Sequence, residues 1–282
     1  MVVFFGITAI PSYAASSQVA SKSLKEKIEQ VKEEATAEAR DIIDSEAVAA
    51  VEETNKAIAL LGTDNTSEAI EALERSTGKL DILLARNPKL AFIPLSSAVE
   101  VIDVAPQNDR VLKEFRNRLK SAIDNDNYPE AREILDNMIS EVRTKTVNLP
   151  LASYPEAMRK AAQLIENEQP ELAKSVLQAA LSTLVITEKN RPIPIINAQT
   201  ELAIAMDLSQ TDKDAALKLM ENARRDLKLA QDFGYASGDR EYAKLGKIIN
   251  KIENKIESNS DVASAFSDLQ SKIMDLLQRA SA

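Results

Sequence analysis

Apolar positions recur at steps of three and four along most of this chain, and the recurrence predicts helices. Leu24, Ile28, Val31, Ala35, Ala39 and Ile42 form one such stripe with Lys and Glu on the other faces, so a long amphipathic helix is expected from Lys22 to about Leu61, with room for one break. Three segments then repeat a common plan: "ALLGTDNTSEAIEAL" (59–73), "SAIDNDNYPEAREIL" (121–135) and "QLIENEQPELAKSVL" (163–177) each pass from apolar helix through a short polar turn into Glu and small or apolar residues. Each reads as an αα-hairpin. Gly62 or an Asn/Asp-rich turn ends one helix, and Ser, Thr or Pro opens the next with Glu in its first turn, where a negative charge complements the helix dipole. At the C-terminus, Tyr242, Leu245, Ile249, Ile252 and Ile256 step 3, 4, 3, 4, and Val262, Phe266, Leu269, Ile273 and Leu276 step 4, 3, 4, 3. These are coiled-coil-like seams on two helices, which either close on each other or zip against a second subunit.

Proline-containing apolar strips interrupt the helical pattern. Phe92-Ile93-Pro94-Leu95 recurs in kind as Asn148-Leu149-Pro150-Leu151 and as Ile193-Pro194-Ile195-Ile196, each after a hairpin and before another amphipathic helix. A residue preceding proline is pushed out of the α region, whereas proline itself suits the first helical turn, so the strips read as linkers tucked against the core before a new helix. They are also the candidate surface for a client or ligand: Phe92, Ile93, Pro94, Leu95, Leu149, Pro150, Leu151, Ile193, Pro194 and Ile195. An offset of 104 aligns residues 56–104 with 160–208 without a gap and matches nine positions, among them Lys56/Lys160, Leu73/Leu177 and Pro88/Pro192, which suggests an internal duplication. The period and signature residues of tetratricopeptide repeats are absent.

Composition sharpens this picture by exclusion. Apolar residues make up 44% but aromatics only 4%, with no Trp, so the core is expected to be Leu, Ile, Val and Ala, a composition suited to helix-on-helix packing. The net charge of −9 is a poor match to nucleic acid or anionic lipid, both of which need a basic footprint. Cysteine and histidine are absent, which removes thiol nucleophiles, disulfides, Cys- or His-based zinc sites and the commonest general base. "MVVFFGITAIPSYAASS" presents an apolar run over Val2–Ile10, a helix-breaking Pro11 and a small-x-small Ser12-Tyr13-Ala14, the pattern of a signal peptide cleaved after Ala14. The run falls far short of the roughly 20 residues a spanning helix needs, so export without a stable membrane anchor is expected.

Two strings invite chemistry and do not sustain it. "STGK" (76–79) lacks the earlier glycine of a phosphate loop, Leu73 standing there, and lies inside a predicted helix. "DNDNYPE" (124–130) places Pro129 where an EF-hand loop requires glycine, so a polar hairpin turn explains it. No catalytic, cofactor-binding or metal-ligating set is expected.

The segment Met138–Glu188, "MISEVRTKTVNLPLASYPEAMRKAAQLIENEQPELAKSVLQAALSTLVITE", resembles the YfdX family in its order of features: an apolar helix, an extended Leu-Pro-Leu segment, then helix, polar turn and an Ala- and Leu-rich helix. "LLGTDNTSEAIEAL" and "LKSAIDNDNYPEAREIL" are similar to the family's earlier hairpins, so the likeness covers roughly residues 50–196. It implies an exported helical protein tied to bacterial stress tolerance, acid and heat included, with a chaperone-like or ligand-binding role suggested and no established enzymatic activity; no functional residues come with it.

The expectation is therefore an all-α fold: an irregular array of antiparallel αα-hairpins with a long N-terminal helix and a C-terminal coiled-coil-like pair. The expected division is a signal peptide (1–14), a hairpin domain (15–234) and a C-terminal helical hairpin (235–282). The expected role is a periplasmic, non-enzymatic binder of unfolded proteins or small apolar ligands that forms a homo-oligomer. The alternative is a scaffold that assembles through a seam of Leu245, Ile249, Ile252, Ile256, Phe266, Leu269, Ile273 and Leu276.

Overall fold

A computed structural model describes residues 12–236 and 240–281. The apolar run Val2–Ile10 lies outside the described residues. The elements are α1 (Ser12–Asp41), α2 (Ser45–Leu61), α3 (Thr66–Arg86), β1 (Phe92–Asp103), α4 (Asp109–Asp124), α5 (Tyr128–Asp136), β2 (Ser140–Pro150), α6 (Tyr154–Glu166), α7 (Pro170–Ser182), β3 (Val185–Pro192), α8 (Ile193–Leu208), α9 (Lys213–Asp232), α10 (Glu241–Glu257) and α11 (Ala263–Ala280). The fold is thus mostly helical, and the expectation of an all-α chain needs one correction: a three-stranded sheet in the order β1-β2-β3.

The sheet takes in two of the three strips read as linkers and extends past them, β1 running to Asp103 where an amphipathic helix was expected. Phe92–Leu95 opens β1, and Leu149 and Pro150 close β2, while Ile193–Ile195 begins α8 as expected, with Pro194 in its first turn. Cross-strand bonds from Leu151 N–H to the Ala91 carbonyl (3.0 Å) and from Ala105 N–H to the Ile139 carbonyl (3.1 Å) run in opposite order, so β1 and β2 are antiparallel. Pro94 is tolerated because β1 is an edge strand that can lack one donor; its carbonyl accepts from Asp44 N–H at 3.2 Å. In β2 the buried side chains alternate as Val142, Thr144, Thr146 and Asn148. Three of these four are polar, which explains why the strand left no hydrophobic period of two.

The hairpin turns share one geometry. Asp64, Asp126, Glu168 and Asn259 each adopt positive φ (54–58°) after a helix. The residue that follows each sends its N–H back five positions: Asn65 to Leu60, Asn127 to Ala122, Gln169 to Leu164 and Ser260 to Lys255, at 2.8–3.0 Å. This is the Schellman closure, which satisfies carbonyls a helix end would otherwise orphan. In the first turn the left-handed residue is Asp64 and not Gly62, whose φ is −71°. Side-chain caps then restart the chain: Asn65 on Glu68 N–H, Asn127 on Glu130 N–H, with Pro129 and Pro170 in first turns.

The chain divides into two compact units, residues 34–99 with 144–188 and residues 1–33 with 100–143 and 189–282. The 34–188 unit contains a ring of four helices in which α2 packs on α3, α3 on α6, α6 on α7 and α7 on α2. Its core includes Leu61, Leu73, Leu80, Leu83, Leu164 and Leu177 with Tyr154 and Met158. The α3 start at 66 and the α7 start at 170 differ by the same 104 residues as the sequence match, so the two similar hairpins are the two halves of this ring. The correspondence ends there, because α7 stops at Ser182 whereas α3 continues to Arg86.

The second unit contains another ring, α8 on α9, α9 on α10, α10 on α11 and α11 on α8. Its core joins Ile195 and Leu202 of α8, Leu219 and Leu227 of α9, and the apolar stripes of α10 and α11. The C-terminal pair is therefore half of a four-helix bundle with α8 and α9. Gly246 lies inside α10, and a methyl group at its Cα would meet nothing within 4 Å. Gly246→Ala is expected to stabilise the bundle by about 0.5–1 kcal/mol, measured as a raised urea midpoint.

Candidate functional site

The strips are divided between two cores. Ile93 (2% exposed), Leu149 (0%) and Leu151 (3%) belong to the core of the 34–188 unit, whereas Ile195 (0%) belongs to the core of the α8–α11 bundle. Pro150, Ile193 and Pro194 are buried, and Pro94 and Leu95 are half-buried. Only Phe92, 44% exposed, is a large strip residue open to solvent in this conformation. Binding through the other strip residues requires their unit to open. Leu245, Ile249, Ile252, Ile256, Phe266, Leu269, Ile273 and Leu276 are all buried against their own chain, so a second subunit would meet other faces of α10 and α11.

The strings set aside on sequence grounds have structural partners. Ser76 is buried and donates to the Ala50 carbonyl at 2.9 Å, with Thr54 Oγ1 at 3.2 Å, holding α3 close to α2. Lys79 reaches Glu46 Oε2 at 2.9 Å. In the 124–130 turn, Tyr128 Oη donates to Asp126 Oδ1 at 2.8 Å and Asn127 Nδ2 to Glu130 Oε2 at 2.9 Å. Among the described residues, no group of three or more carboxylates is placed to hold a metal ion.

A feature that the sequence reading missed lies in the α8–α9 interface. Glu201 of α8 is 3% exposed and Asp226 of α9 is 7% exposed, within a core that is otherwise aliphatic. Burial disfavours the ionised form of Glu201, and the Asp226 charge adds to this, so its carboxyl is pushed up to about 8; Arg225 and a hydrogen bond with Asn222 oppose the change. Burial likewise raises Asp226 to about 6, against the opposing pull of Arg225 and a hydrogen bond with Asn197. Glu201 Oε2 is enclosed and has no hydrogen-bond partner. At neutral pH Glu201 is accordingly a neutral acid. A signal for it existed: from Pro192 to Met206 it is the single charged residue of a mostly apolar helix.

Asp226 also lines a small cleft with Asp103, Ser140 and Asn197, backed by Ile193, Leu229 and Phe233, that holds about 270 Å³ of space including the part open to solvent. Its rim is polar and tied down. Ser140 Oγ donates to Asp103 Oδ1 at 2.8 Å, Ser140 N–H donates to Tyr235 Oη at 3.0 Å, and Tyr235 Oη donates to Glu141 Oε2 at 2.9 Å. Arg143 closes on Glu141 Oε1 at 2.7 Å. Burial, with the Glu141 charge adding to it, raises the Tyr235 hydroxyl well above its ordinary value. The arrangement can store protons on Glu201 and Asp226 and brace α9 against the strand ends.

The YfdX family model, described as "YfdX protein", matches residues 50–190, half of the chain. The chain belongs to the YfdX family. A solved structure of YfdX from Salmonella Typhi is similar at 15% identity and a TM-score of 0.36, over 52% of this chain and 91% of that one. No curated protein matches. The matched stretch holds the α2–α3–α6–α7 ring from Ala50 of α2 onward and the sheet up to Asn190, while Glu201, Asp226 and the whole α8–α11 bundle lie beyond it. Among the described residues no helix is long and apolar enough to cross a membrane.

Proposed function

We propose that this YfdX-family protein is an exported, non-enzymatic stress-protection protein that holds unfolded proteins, or small apolar ligands, on apolar strips released when its 34–188 unit opens. The supporting observation is the placement of Ile93, Leu149 and Leu151, from two of the strips, in the core of the unit that carries most of the family match. A trigger follows from charge. The −9 balance at pH 7 becomes roughly +13 near pH 4, where about half of the 44 carboxylates are protonated at ordinary values. With no histidine in the chain, such a change acts through carboxylates, near pH 4 to 5. The same unit is laced with exposed ion pairs that acid weakens: Arg75–Glu53 at 3.0 Å, Lys79–Glu46 at 2.9 Å and Arg159–Asp81 at 3.0 Å.

The test is aggregation of an unrelated unfolded protein in the presence of residues 15–282, at neutral and acidic pH, with an inert acidic protein as control. Protection at equimolar ratio or below, stronger at pH 4.5 than at pH 7, is the expected outcome. Equal aggregation with and without the protein at both pH values removes this reading and leaves a homo-oligomeric scaffold as the next to test.

A further inference from the structure

We propose that Glu201 and Asp226 form a proton-loaded lock in the α8–α11 bundle: two carboxyl groups buried on facing helices take up protons as the pH falls and tighten this bundle under conditions that loosen the rest of the chain. Their placement is the reason. An ionised Glu201 would put a charge in an aliphatic core with Oε2 unpaired, and an ionised Asp226 on the neighbouring helix would repel it. From α9, Glu201 faces Asp226, Arg225 and Asn222. Asp226 is approached by Arg225 of its own helix at 3.8 Å, by Asn197 of α8 and by Asp103 at the end of β1. Arg225 is the single cation in this set and is itself 59% exposed, so solvent screens the compensation it offers.

The direction is fixed by linkage. Both groups hold protons more tightly in the folded bundle than in the open chain, so the stability they confer is complete below the unfolded values near 4 and is lost as pH rises through about 6 for Asp226 and about 8 for Glu201. Most buried acids that accept ion pairs behave in the opposite sense and are lost in acid. This lock lies beyond the family-matched stretch and does not depend on client binding.

Amide hydrogen exchange of the full mature chain tests it, read on peptides of α8 and α9 and corrected for the intrinsic pH dependence of exchange. In the wild type these peptides are expected to open on the order of 1,000-fold more often at pH 8 than at pH 5. Glu201→Gln, which holds the neutral form permanently, is expected to cut that ratio to about 10-fold. Asp226→Asn is expected to reduce it as well, giving a second variant should the first fold poorly. Infrared difference spectra at pH 7.5, well above the Asp226 value, are expected to show a protonated-carboxyl carbonyl band in the wild type that Glu201→Gln lacks. A wild-type ratio near one, a full ratio retained in both variants, or no protonated-carboxyl band overturns the proposal.

Discussion

A chain ending at residue 240 is expected to lose protected structure throughout α8 and α9 while α2, α3, α6 and α7 keep theirs. The reason is the sharing of one core. Leu245, Ile249, Ile252, Ile256, Phe266, Leu269, Ile273 and Leu276 are fully buried, and the partners they cover include Ile195, Leu202, Leu219 and Leu227. Burying one such side chain stabilises by roughly 1.5–3 kcal/mol, and a whole domain is stable by only roughly 5–15 kcal/mol. Removing eight therefore exceeds any margin the bundle has. Hydrogen exchange of residues 193–232 at free-peptide rates is the expected reading. Persistent protection there would mean that α10 and α11 are an appendage whose seam serves another subunit. A single Phe266→Ala, at about 3–5 kcal/mol, is expected to reproduce the effect in part.

Leu80→Ala is expected to act on the other unit and on function. Leu80 is fully enclosed in the α2–α3–α6–α7 core, and truncation there costs about 2–5 kcal/mol through lost transfer energy and the cavity left behind. Leu80 is not among the buried residues of the α8–α11 core. If strip release from this unit is what exposes the binding surface, less acid suffices to open the variant, and protection against client aggregation moves toward neutral pH. An unchanged pH profile alongside measured destabilisation would separate unit opening from client binding.

How far each element could be read from the sequence depended on the physical signal it leaves there. The hairpins were legible because apolar periodicity, an Asn- or Asp-rich turn and a first-turn Glu or Pro agree at each site; even so, the left-handed position in the first turn fell on Asp64 and not on Gly62. The sheet was illegible. The buried face of β2 is Thr144, Thr146 and Asn148 around Val142, and β1 carries a proline, so neither strand shows the apolar alternation that betrays one. The C-terminal seams were read correctly as stripes, but a stripe does not say what it faces; the answer, α8 and α9, depends on tertiary pairing. Glu201 was legible in principle, as the lone charge between Pro192 and Met206 in a mostly apolar helix. Its pairing was not, because Asp226 sits on the next helix and no three- or four-residue spacing along the chain links the two.

Clients are expected to meet the strips of the 34–188 unit, and a crosslinking map tests this most directly. The chain has no cysteine, so one introduced thiol gives a unique attachment point for a photo-crosslinker. Phe92→Cys places it on the exposed strip residue, and Met274→Cys, at 58% exposure on α11, serves as an exposed control outside the 34–188 unit. With an unfolded client at pH 4.5, strong adducts are expected from position 92, weaker ones at pH 7 and none above background from position 274. Equal adducts from both positions, or adducts from 274 alone, would contradict strip binding.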